Sequence, residues 1–156
     1  MAQGAHGGEV SLPARPAPSG HVRMVGRLVE VHVRRLTSVA DVESVHAEIL
    51  HAIGPPSAPD CILCVDCRAA AALPPGAVDA MSRSMREVNP RIERSAVLVD
   101  SSNSMFSLQA ERAVQCAGKS ERQVFSDVDE ALEWLDRGLT EVERSELRKF
   151  LSRVDA

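Results

Sequence analysis

The chain has 156 residues, 26% of them charged and 44% hydrophobic, which suits a single soluble globular domain rather than a disordered or membrane-embedded chain. A formal net charge of -4, with Phe 3, Trp 1 and Tyr 0, removes both the basic footprint and the stacking aromatics that nucleic-acid binding uses. No apolar run approaches the about 18 residues of a membrane span.

Residues 1–20, "MAQGAHGGEVSLPARPAPSG", are rich in Gly, Pro and Ala and lack an apolar segment, so they read as a flexible tail and not as a secretory signal. Without export, the expected location is the cytoplasm, with the cysteines as free thiols. From His21 the pattern becomes regular. Val22 to Val25 suits a strand, Gly26 a tight hairpin, and the stretch from Leu28 a partner strand. That partner is expected to be half-buried, with Val29, Val31 and Val33 inward and Leu28, Glu30, His32 and Arg34 outward.

"SVADVESVHAEILHAI" places Val42, Val45, His46, Ile49 and Ile53 on one helical face, with Thr37 or Ser38 as the cap. After the breaker "GPPSAP", the run "CILCV" is apolar on both faces, as a central strand covered on either side should be. "SAVLVD" has the same character. Between them "PPGAVDAMSRSMREVN" predicts a helix starting at Pro74 or Pro75, with Val78, Met81, Met85 and Val88 inward. "SSNSMFSLQAERAVQCAG" predicts a third helix ending near Gly118, and "RQVFS" a short edge strand. Two further helices are expected, capped by Ser126 with Asp129 and by Thr140 with Glu143, the last packing as an appendage through Leu147, Phe150, Leu151 and Val154. The alternation of strands and helices implies an α/β fold: one domain with a mixed, mostly parallel sheet of about five strands, its first strand antiparallel at an edge.

The triplet spacing of Cys61, Cys64 and Cys67 resembles a metal loop, but on a strand Cys64 points away from the other two. Cys61 and Cys67 then stand about 20 Å apart at roughly 3.3 Å per residue, too far for one ion. Their expected role is core packing, with redox chemistry at Cys67 as the rival. No histidine is spaced for nucleophilic catalysis, "GGEV" does not open a phosphate loop, and no cofactor is implied.

The element order, the strand ending "CVDCR" and the stretch "RQVFSDVDEALEWL" together resemble the STAS domain superfamily, which includes SpoIIAA-like anti-sigma-factor antagonists. The closest resemblance is to stand-alone bacterial members grouped with CRAL-TRIO-like lipid-binding domains. It covers residues 21–137 and leaves 138–156 as the appended helix. It implies a non-enzymatic module that binds a protein partner or a small apolar ligand. In the regulatory branch a serine after the central strand is phosphorylated, whereas here "CRAAAALP" offers no hydroxyl, and Ser82 and Ser84 lie inside the next helix. The expected partner or ligand edge lies at the carboxyl ends of the strands: Asp66, Cys67 and Arg68, then Asp100, Ser101, Ser102 and Ser104, with Arg112 nearby. The apolar segment Ala69 to Met85 favours a small apolar ligand, and a regulatory protein contact is the leading function. Homodimerisation through an edge strand is an option, opposed by charged flanks at Arg122 and Asp127.

Overall fold

The computed structural model describes residues 19–153. The strand β1 (Gly20–Val25) folds back on β2 (Leu28–Val33), with Val25 opposite Leu28. Gly26 takes a φ of 59°, the positive value that a two-residue hairpin loop favours at its first position. Three crossover helices follow: α1 (Val39–Ile53), α2 (Ala77–Val88) and α3 (Ser104–Ala117). They alternate with β3 (Cys61–Asp66), β4 (Ile92–Leu98) and β5 (Arg122–Phe125). The sheet order is β1-β2-β3-β4-β5, with β1 antiparallel to β2 and every later pairing parallel.

Strands laid down in sequential order with crossovers of one hand put all their crossover helices on one face. That face holds the larger core, where Val29, Val31 and Val33 meet Val42, Val45 and Ile49 of α1, Met81 and Met85 of α2, and Phe106 and Ala110 of α3. The opposite face is covered by α4 (Val128–Leu135) and α5 (Glu141–Leu151). Leu28, Ile62, Cys64, Ala96 and Leu98 of the sheet pack there on Leu135, Leu147, Phe150 and Leu151.

The second core corrects two expectations. The final helix is no appendage, since Leu147, Phe150 and Leu151 share one buried cluster with strand residues and the boundary expected at 137 runs through that core. For the same reason β2 is not half-buried: Leu28 and Glu30, read as outward, are covered. Val154 lies outside the described residues, as does nearly all of the expected tail.

The caps are mostly local. Ser38 accepts from Asp41 N, Asn103 from Phe106 N, and Thr140 and Glu143 form a reciprocal capping box. At α4 the cap is Asp127, which accepts from Asp129 N and Glu130 N, in place of the expected Ser126. The prolines expected to open α2 stand in the turn before it, and Gly76 precedes the first helical residue.

Candidate functional site

The expected edge divides into two parts that do different work. Arg68 Nε and Nη2 donate to the two oxygens of Asp66 at 3.0 and 2.9 Å, and Nη2 also reaches the carbonyl of Leu151 at 3.0 Å. Asp66 and Arg68 therefore tie the end of the central strand to the end of α5. Cys67, expected on the edge, is 1% exposed and belongs to the larger core. Burial pushes its thiol well above the ordinary range, with the nearby Asp66 carboxylate adding to the rise, so the thiolate that redox or nucleophilic chemistry needs is disfavoured. Cys61 lies on the same face and Cys64 on the other, as strand alternation requires.

Asp100, Ser101, Ser102, Ser104 and Arg112 are exposed. Asp100 accepts from Ser102 N and Oγ at 2.9 and 2.8 Å, bonds that hold its carboxyl below the usual value. Beside them the first half of α3 exposes Met105 (56%) and Leu108 (67%). The preceding β3–α2 loop is fixed by α3. Asn103 Nδ2 donates to Ala70 O at 2.7 Å, while the Gln109 amide accepts from Leu73 N at 2.7 Å and donates to Leu73 O at 3.1 Å.

A second feature lies on the helical face of the sheet. Between α1 and α2 there is a cleft with a void of ≈ 70 Å³ that opens to solvent. Its walls are Val42, Val45 and Ile49 of α1 and Met81, Met85 and Val88 of α2, over a floor of Leu63, Val65 and Val97. His46 and Ser84 also line it, and His46 Nε2 lies 3.2 Å from the Glu87 carboxylate. Space between two helices and a sheet survives where the side chains do not interdigitate, and a void walled by hydrocarbon is energetically open to an apolar guest.

Arg122 also lines this cleft, although it is the first residue of β5, and it is 4% exposed. Its Nε and Nη2 donate to Asn89 Oδ1 at 3.2 and 3.0 Å, Nη2 to Met85 O at 3.4 Å, and Nη1 to Ser95 Oγ at 3.4 Å. The guanidinium thus sits at the C-terminal end of α2, where the last carbonyls carry partial negative charge. Every one of these acceptors is neutral, and among the described residues no carboxylate forms an ion pair with it. Desolvation lowers its pKa to about 10, so it stays a cation at neutral pH. From the sequence, Arg122 is expected only as a charged flank of an edge strand. An arginine at the start of a short strand carries no local sign of burial, because the groups that bury it come from α2 and β4.

No family model matches the chain, and no curated protein matches it. Among solved structures, it is similar to an uncharacterized protein of the DUF3478 family with a SpoIIAA-like fold from Shewanella loihica PV-4. The TM-score is 0.54 at 15% identity, over 74% of this chain and 91% of that one. The chain has a SpoIIAA-like fold. That agrees with the mixed five-stranded sheet and the five helices expected of it, and at this identity the likeness concerns the fold alone. Among the described residues of this SpoIIAA-like domain, no helix is long and apolar enough to cross a membrane.

Proposed function

We propose that the protein is a binding module for a small apolar ligand held in the cleft between α1 and α2. The observation that carries this reading is the cleft's lining, hydrocarbon on three sides with isolated polar groups at its end and mouth. Met81 and Met85, with unbranched thioether side chains, can repack around guests of different shape.

The test uses the methionine methyl groups, carbon-13 labelled and followed by NMR. Titration with a panel of small aliphatic and aromatic compounds should move the Met81 and Met85 resonances and leave Met24 and Met105 in place. A panel that moves neither Met81 nor Met85 overturns the reading.

A second reading, regulatory contact with a protein partner, is favoured by the exposed Met105 and Leu108 beside Asp100, Ser101, Ser102 and Ser104. Two large apolar side chains one helical turn apart form the kind of small anchor that a partner's groove accepts. Here the Asp66 and Arg68 half of the expected edge serves the fold, and the α3 half is the part left for contact.

A further inference from the structure

Resting on the cleft being a ligand site, we propose that its ligand is a small aliphatic monocarboxylate whose head group meets Arg122 and whose chain lies among Val45, Ile49, Met81 and Met85. A guanidinium buried beside hydrocarbon with only neutral acceptors keeps an uncompensated charge, which is costly in a medium of low polarity. Two of its four hydrogen bonds are long, at 3.4 Å, near the limit at which such bonds weaken. Of the five N–H donors of an arginine, the four bonds leave one on Nη1 for an incoming acceptor.

A carboxylate would complete this arrangement, because one of its oxygens can accept the remaining Nη1 hydrogen in a charge-assisted bond and its charge neutralises the arginine. A neutral guest of the same length would fill the same hydrocarbon space but leave the charge uncompensated. Among the described residues Arg122 is the one arginine or lysine that lines the cleft, which suits a monoanion better than a dianion. Among the residues that line the cleft, His46 places its Nε2 3.2 Å from the Glu87 carboxylate.

Hexanoate and hexanol, titrated separately into the full chain with labelled methionine methyls, test this. Hexanoate should bind about tenfold or more tightly, as a charge-assisted bond warrants, and should shift the Arg122 Nε–H resonance while hexanol does not. In Arg122→Gln the preference should vanish while hexanol still binds. The wild-type comparison stands by itself if that variant does not fold. Equal affinity of the two compounds in the wild type overturns the assignment of a carboxylate and leaves the apolar site intact. If neither compound moves Met81 or Met85, the apolar site itself is overturned.

Discussion

Arg68 grips Asp66 with a two-pronged hydrogen bond and extends the same guanidinium to the carbonyl of Leu151. Two residues at the end of the central strand thus hold the last turn of the last helix, across 83 positions of sequence. The loop edge expected to meet a partner is in this half an internal fastening.

Removing the arginine should therefore act on stability before it acts on binding. Arg68→Ala leaves the buried Asp66 carboxylate without its charged partner, and such a loss is worth about 2–4 kcal/mol once Arg68's partial exposure is allowed for. Urea denaturation should show this drop. Hydrogen exchange should show the amides of α5 losing more protection than those of α1.

Glu30 makes the opposite prediction. It is 2% exposed on the α5 side of β2, its Oε2 has no hydrogen-bond partner, and its nearest cation, Arg23 Nη1, is 3.9 Å away. Desolvation raises its pKa against the pull of Arg23 and Arg153, and Glu146 on α5 adds to the rise. A carboxyl whose folded pKa is raised is tolerated while protonated and becomes a burden as pH rises through the folded value. Glu30→Gln should gain about 1 kcal/mol at pH 7.5, and the gain should fade towards pH 4. Chemical denaturation at the two pH values measures it, and an equal gain at both would contradict the assignment.

Asp41 should respond with the other sign. It accepts from Ser19 Oγ at 2.6 Å and from Thr37 N and Oγ1 at 2.8 and 2.7 Å, joining the start of β1 to the start of α1. Those bonds lower its pKa to about 2. Its contribution is complete above the ordinary carboxylate range and is lost as pH falls from about 4 towards 2. Asp41→Asn should cost about 1–2 kcal/mol at pH 7 and little near pH 2.

The cysteines should separate by burial. Cys116 is exposed on α3, whereas Cys61, Cys64 and Cys67 are buried. Under native conditions iodoacetamide should modify Cys116 alone, as read by mass spectrometry. The other three should react only after denaturation, at rates set by unfolding. Rapid native modification of Cys67 would revive a thiol chemistry that its burial opposes.

Much of the architecture was legible because its signals are local. "CILCV" and "SAVLV" are apolar on both faces, as strands covered on both sides must be, and Val42, Val45, Ile49 and Ile53 repeat with the period of a helix. The alternation of the two kinds of element then leaves few ways to connect a parallel sheet. Less legible was which residue faces what. Glu30 alternates as an outward residue should, and only the arrival of α5 over that face buries it.

By itself, then, the sequence determined the α/β class, the order of the elements and the opposite facing of Cys61 and Cys64. These follow from backbone periodicity and turn chemistry over a few neighbouring residues. Tertiary structure alone decided that Arg68 would fasten α5, that Arg122 would be a buried cation, and that a cleft would open between α1 and α2. Burial and charge environment are sums over atoms close in space. At Arg122 those atoms come from Met85, Asn89 and Ser95, 27 to 37 positions away in the chain.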